Sequence, residues 1–176
     1  MWAMDGAHDT SIRVDHVGIA VRSVADAEPL LRALGCERLS DEAVTEAGSV
    51  PYDEAGDDAQ FRWTYYRLGD ASRIELIEPI AEETFLTRFL DEHGPGLHHV
   101  TLEVADLDAV AAAVTAAGFD VVDRQSFDTW AEAFVSPRNA TGTLFQLMEY
   151  GEDYADGRTS PEELFVNGTP VAEVGR

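Results

Sequence analysis

Hydrophobic and polar positions along this chain follow two periods, and they do so twice. From about Ile12 to Val21 the residues alternate, with Val17, Ile19 and Val21 on one side, which predicts a half-buried strand. Directly after it, Ala27, Leu30, Leu31 and Leu34 recur at i, i+3, i+4 and i+7, one apolar face of a helix over Val24 to Leu34. Ser23 stands where a side chain can cap the first turn, and Gly35 where a helix end needs a residue tolerant of positive φ. A second strand with the same alternation runs over Leu97 to Val104. Asp106 then caps a helix over Leu107 to Ala117 whose apolar face is Val110, Ala113, Val114 and Ala117, and Gly118 stops it.

The two stretches are copies. Asp15-His16-Val17-Gly18-Ile19-Ala20-Val21 aligns with His98-His99-Val100-Thr101-Leu102-Glu103-Val104 at an offset of 83 (99 − 16 = 83), with no gap through the glycine stops. A second pair, Arg73-Ile74-Glu75-Leu76-Ile77-Glu78 and Leu144-Phe145-Gln146-Leu147-Met148-Glu149, aligns at 71 (146 − 75 = 71). The first half therefore carries an insertion, placed in the acidic, glycine- and proline-bearing stretch from Glu46 to Asp58. The remaining patterns predict strands at Glu37 to Val44, Phe61 to Leu68, Arg73 to Ile77, Asp120 to Gln125, Trp130 to Ser136 and Thr143 to Tyr150, with a helix at Glu82 to Glu92. The expected organisation is α+β. After a flexible 1–11 come a βαβββ module at 12–80, a linking helix at 81–95, a second βαβββ module at 96–150 and an extension at 151–176.

Strand alternation places His16, Gly18 and Ala20, then His99, Thr101 and Glu103, on the face away from the helices, together with Glu75 in the first half and Gln146 in the second. A lone histidine on a strand is ordinarily a structural residue, and a lone glutamate a solvated one. Here two histidines and two acid-or-amide residues recur at matching places, so the two halves can bring all four into one cup. Gly18, Ala20 and Thr101 are small and leave room for a ligand there.

Composition narrows the partners. Thirty-four acids against twelve bases give a net charge of −22, and every base is arginine. Such a surface repels nucleic acid and anionic membranes, so neither is an expected partner. The acidity without lysine resembles that of halophilic cytosolic proteins. No apolar run approaches the roughly 20 residues that cross a bilayer, and the first ten residues lack a signal-peptide pattern, so a cytoplasmic location is expected. Cys36 is the only cysteine, which excludes an intrachain disulfide and a cysteine zinc site.

The segments at 15–21, 74–79 (Ile-Glu-Leu-Ile-Glu-Pro), 96–100 (Gly-Leu-His-His-Val) and 143–147 (Thr-Leu-Phe-Gln-Leu) resemble the vicinal-oxygen-chelate superfamily over about residues 12–150. The subgroup they resemble most is methylmalonyl-CoA epimerase, followed by lactoylglutathione lyase (glyoxalase I). The resemblance implies two βαβββ modules forming a cupped mixed sheet. It also implies a homodimer and one divalent ion (cobalt, manganese, nickel or zinc) on His16, Glu75, His99 and Gln146. His99 is preferred to His98 by strand parity, leaving His98 for packing or for support of a ligand. The implied chemistry is proton abstraction α to a carbonyl through a metal-stabilised enolate, with Glu75 as the candidate base and an acyl-CoA or a glutathione hemithioacetal as substrate. In the epimerases the last strand usually carries glutamate where this chain has Gln146. A second acid/base is therefore sought at Glu132, Glu103 or Glu46. Arg62, Arg67, Arg73 and Arg138 are the cations that could meet CoA phosphates, or else pair with surface acids. The rival from another class is a non-catalytic small-molecule (antibiotic) binder of the same fold, gripping its ligand with Trp63, Tyr65, Tyr66 and Trp130.

Overall fold

The computed structural model describes residues 12–44, 61–69, 72–138, 141–151, 165–166 and 169–170. The first half runs β1 (Arg13–Ala20), α1 (Val24–Ala33), β2 (Glu37–Val44), β3 (Phe61–Arg67) and β4 (Arg73–Pro79). After α2 (Phe85–His93) the order repeats as β5 (Gly96–Glu103), α3 (Leu107–Ala116), β6 (Val121–Ser126), β7 (Trp130–Val135) and β8 (Leu144–Tyr150). A two-residue pairing of β9 (Phe165–Val166) with β10 (Thr169–Pro170) lies in the C-terminal extension. The acidic insertion expected at Glu46 to Asp58, and Glu46 with it, lies outside the described residues.

One open, cupped, mixed sheet holds the eight long strands in the order β2-β3-β4-β1-β5-β8-β7-β6. Each half is led by its first strand, which pairs in parallel with its fourth: β1 with β4 and β5 with β8. A parallel pair needs a crossover, and α1 and α3 begin those crossovers. The halves join where β1 and β5 meet antiparallel, so the two histidine-bearing strands lie side by side at the centre of the sheet.

α1 and α3 start where the sequence predicts. Ser23 Oγ accepts from Asp26 N, and Asp106 Oδ1 accepts from Ala109 N at 2.8 Å. The repeat adds a second restraint. Glu78 at the end of β4 accepts from Val24 N, and its counterpart Glu149 on β8 accepts from Leu107 N at 2.7 Å. Each carboxylate ties a helix N-terminus to the sheet and lies at the positive end of the helix dipole.

The buried faces of α1 and α3 differ from expectation by part of a turn. Val24 and Leu31 of α1 are buried with Ala27 packed beside them, but Leu30 and Leu34 are 65% and 68% exposed. In α3, Leu107, Val110, Ala111 and Val114 face the sheet, and Ala113 and Ala117 are exposed. The sheet takes the i, i+3, i+7 stripe that starts at the first helical residue. That stripe is fixed by the carboxylate holding the N-terminus.

α2 begins at Phe85, three residues later than the apolar pattern suggests, because Thr84 and Thr87 cap one another's backbone there. It also packs on the concave side. Phe85, Leu86 and Leu90 bury themselves against Ala20 and Ile77, and Ile77 shares a face with Glu75. Ala20 is therefore small to admit α2 and leaves no ligand space, contrary to the sequence expectation. No helix among the described residues is long and apolar enough to cross a membrane.

Candidate metal centre

Register explains why the histidines and Glu75 meet. Gly18 on β1 has Glu75 as its partner on β4 and His99 as its partner on β5. Having no side chain, it lets the neighbouring groups close over it: a Cβ at position 18 would lie 2.1 Å from His99 Cε1. The room expected beside Gly18 is thus taken by the His99 ring. The equivalent position in the second half is Thr101, which pairs with Gln146 on β8 and His16 on β1. Its hydroxyl fills that gap, 2.9 Å from His16 Nε2 and donating to Gln146 Oε1 at 2.7 Å.

Three of the four expected ligand residues converge. His99 Nε2 lies 3.1 Å from Glu75 Oε2 and 3.4 Å from His16 Nε2, and His16 Nε2 lies 3.7 Å from the same carboxylate oxygen. Side chains so placed could hold a metal ion, and all three residues are buried, at 1% (His16), 6% (Glu75) and 7% (His99) exposure. Cation bonds of about 2.1 Å put neighbouring ligand atoms about 3.0–3.4 Å apart; two of the three spacings fall in that range, and the 3.7 Å between His16 and Glu75 is slightly wider. Two imidazole nitrogens and a carboxylate oxygen suit a borderline divalent cation such as zinc, cobalt or nickel. Gln146 joins the group through Thr101, its Oε1 accepting from the threonine and its Nε2 donating to Glu132 Oε2 at 2.7 Å.

The surroundings set the charge states. Burial works against ionisation of Glu75, but the attraction of His16 and hydrogen bonds from His99 and Tyr65 outweigh it and hold the carboxyl at about 2. Burial lowers the His16 pKa from 6.5, against the upward pull of Glu75 and Asp15. At neutral pH Glu75 is a carboxylate facing a neutral His16, the forms that bind a cation. Burial likewise raises the pKa of Glu132 above 4.5, with the Gln146 hydrogen bond opposing and Asp123 adding to the rise.

The other candidates separate clearly. Glu103 is bonded by Arg13. Arg62 pairs with Glu78, Arg67 with Glu37 (2.6 Å each) and Arg73 with Asp15, so all three take the ion-pair alternative. Trp63 packs beside the α2 cluster, Tyr66 lies in the core under α1, and Trp130 stacks on Phe127. Tyr65 alone of the four aromatics reaches the centre, edge-on to His16 with ring centroids 5.2 Å apart. A cavity of about 410 Å3 is lined by residues that include His98, Phe89, Leu97, Ser136 and Arg138, and by none of His16, Glu75, His99 and Gln146. Sequence reasoning gave no role to Asp15, which is 2% exposed and bonded to His16 Nδ1 at 2.7 Å. The only signal for it was its place beside His16 in the repeated motif.

A duplicated module with its first strands paired at the centre and a buried His-Glu-His group beneath them defines a class. The chain belongs to the glyoxalase/bleomycin resistance protein/dioxygenase superfamily, whose family model matches residues 15–134. The uncharacterized protein YqjC of Bacillus subtilis (strain 168) is 32% identical over 142 residues, covering 78% of this chain and 91% of that protein. A hypothetical protein of Bacillus halodurans C-125 superposes with a TM-score of 0.67 at 27% identity, covering 83% of this chain and 99% of that one. The methylmalonyl-CoA epimerase of Mycobacterium tuberculosis superposes with a TM-score of 0.64 at 28% identity, covering 78% and 87%. A Streptomyces coelicolor methylmalonyl-CoA epimerase variant, in complex with 2-nitronate-propionyl-CoA, does so at 0.63 and 25% identity, covering 81% and 97%.

Proposed function

We propose that this chain is a metal-dependent isomerase that moves a proton α to a carbonyl, with an acyl-CoA thioester as the substrate class. The observation that carries the reading is the buried convergence of His16, Glu75 and His99 on three adjacent central strands. Gln146 is the fourth candidate ligand, once Thr101 releases its oxygen. An ion held there supplies Lewis acidity to the substrate carbonyl and lowers the cost of the charge that develops on its oxygen. Similarity to epimerases, one of them in complex with 2-nitronate-propionyl-CoA and another with methylmalonyl-CoA, favours a thioester over a glutathione hemithioacetal.

The two carboxylates have different work in this reading. Glu75, held at about 2, is a poor proton acceptor and a good cation ligand; acting as base requires it to loosen from the histidines. Glu132 sits one hydrogen bond further out, through Gln146 Nε2, and burial makes it the more basic of the two. It is the candidate for the second proton-handling group, standing near the place where the family's last-strand glutamate is replaced by Gln146.

Two measurements test the function together: metal analysis of protein purified without chelator, and α-proton exchange in deuterated water with methylmalonyl-CoA and, separately, with the methylglyoxal–glutathione hemithioacetal. A stoichiometric divalent ion with exchange on the thioester is expected. Exchange only on the hemithioacetal moves the substrate assignment to the lyase, and neither ion nor exchange removes the enzymatic reading in favour of a binder. Glu132→Gln is expected to lower kcat at least about 100-fold, the usual scale for a positioned acid/base group, with metal content unchanged. A full-rate Glu132→Gln enzyme sinks that assignment.

A further inference from the structure

The β1–β5 pairing slips register twice, and both slips fall beside the candidate ligands. Val14 pairs with Leu102 but His16 with Thr101, which leaves Asp15 as an extra residue on β1. Gly18 pairs with His99 but Ile19 with Leu97, which leaves His98 as an extra residue on β5. The two bulged residues each immediately precede a histidine of the cluster, and they are separated by the offset of the internal repeat (98 − 15 = 83).

A bulge sets two residues against one and breaks the alternation that sends neighbouring side chains to opposite faces. In a regular strand, residues 15 and 16 could not meet. Here Asp15 Oδ2 lies 2.7 Å from His16 Nδ1, and His98 Nδ1 lies 3.0 Å from His99 Nδ1. In both imidazoles Nδ1 is held from behind while Nε2 faces Glu75.

From this we infer that Asp15 and His98 are a matched pair of positioning residues, each fixing the tautomer and ring direction of the histidine that follows it. The inference rests on the ligand assignment proposed above. An ionised carboxylate accepts and never donates, so Asp15 places the His16 proton on Nδ1 and leaves the Nε2 lone pair facing the site, where it accepts from Thr101 Oγ1 when that hydroxyl turns away from Gln146 Oε1. Arg73 on its other oxygen and Tyr150 Oη at 3.3 Å hold Asp15 in turn. His98 does the same for His99 once a cation replaces the hydrogen bond between His99 Nε2 and Glu75, accepting the proton then on Nδ1, and is braced by the rings of Phe85 and Phe89. An anion polarises an imidazole more than a second imidazole does, so His16 is the firmer ligand of the two.

Three variants test this. Asp15→Asn keeps the shape, but Arg73 claims the carboxamide oxygen, so the NH2 group turns to His16 Nδ1 and the ring proton moves to Nε2. His98→Phe removes the acceptor, and His98→Asn restores an acceptor near the same place. Zinc and cobalt affinities, read by competition with a chromophoric chelator, are expected to weaken about 10- to 100-fold in Asp15→Asn, less in His98→Phe and least in His98→Asn. The 15N shifts of the metal-free wild type are expected to report His16 protonated at Nδ1, and those of Asp15→Asn at Nε2. Wild-type affinities in all three variants, with only thermal stability lowered, overturn the inference and leave the ligand assignment standing. A wild-type His16 protonated at Nε2 also overturns it, whatever the metal result. A wild type showing the Nδ1 tautomer but taking up no divalent ion overturns the ligand assignment and, with it, this role for the pair.

Discussion

Gly18 shows how one absent side chain makes the centre possible. It lies between the partners Glu75 and His99, and the imidazole occupies the volume that a Cβ would need. Gly18→Ala is therefore expected to displace the His99 ring while the sheet persists. Metal affinity should fall more than about tenfold, the scale on which misplaced metal shells are felt, with an unchanged far-ultraviolet circular dichroism spectrum; undiminished affinity rules out the proposed packing. The pKa shifts make a second prediction at this scale. In the metal-free chain His16 and His98 titrate below their ordinary 6.5, His98 at about 3, chiefly through burial. Below 6.5 the unfolded chain binds protons that the folded chain refuses, so stability falls as pH drops. Glu75 acts in the same direction: its folded pKa of about 2 lies below 4.5, so its contribution is full above 4.5 and is lost between 4.5 and 2. Urea midpoints of chelated protein are expected to decline from pH 6.5 downward and faster below 4.5, with His98→Phe flattening the upper part; equal midpoints at pH 7 and 5 contradict the burial of these imidazoles. His16, Glu75 and His99 were legible because strand parity and the repeat both point to them. The role proposed for Asp15 was not, and support of a ligand by His98 stood only as an alternative to packing, because a bulge is a property of cross-strand pairing and strict alternation sends both residues to the other face.

Among the elements, the eight long strands were read within one or two residues, the short β9 and β10 were not read, and the helices were read less well. The spacing Ala27, Leu30, Leu31, Leu34 correctly marks a helix, but it leaves open which part of a broad apolar arc meets the sheet. Glu78 and Glu149 decide that by tethering the first residue of each helix, a contact 54 residues away in one case and 42 in the other. Leu31→Ala is expected to cost about 2–5 kcal/mol, as for a large side chain deleted from a core, whereas Leu30→Ala should stay within about 0.5 kcal/mol. Denaturant unfolding of both variants separates the two faces, and equal costs restore the face read from periodicity. The position of α2 was the larger miss. Its Phe85, Phe89 and Leu90 mark an amphipathic helix, yet nothing local says that it turns into the cup. There it packs on Ala20 and Ile77 and sets Phe85 and Phe89 against His98. One element thus closes one end of the concave face and braces the imidazole behind His99.

Across the whole molecule, charge is the dominant unbalanced quantity. Of the twelve arginines, Arg22, Arg32, Arg62 and Arg67 are among those paired with carboxylates near the surface, while thirty-four acids leave a surplus of twenty-two negative charges. Salt acts on these two populations in opposite directions. Exposed ion pairs contribute only about 0–1 kcal/mol each and weaken as salt screens them. Repulsion among the surplus carboxylates opposes the compact state over longer distances, and screening relieves it as the Debye length falls from about 8 Å at 0.15 M to about 3 Å at 1 M. Because acids outnumber bases almost three to one, relief of repulsion should win. The melting temperature is therefore expected to rise steadily between about 0.1 and 1 M potassium chloride, by the same amount in chelated and metal-loaded protein. The buried cluster is shielded from bulk salt, so the increment gained from metal should stay nearly constant across the series. A melting temperature that falls with salt would mean that the surface pairs outweigh the surplus. An increment from metal that vanishes with salt would mean that the cation sits in the exposed acidic surface and not among His16, Glu75 and His99.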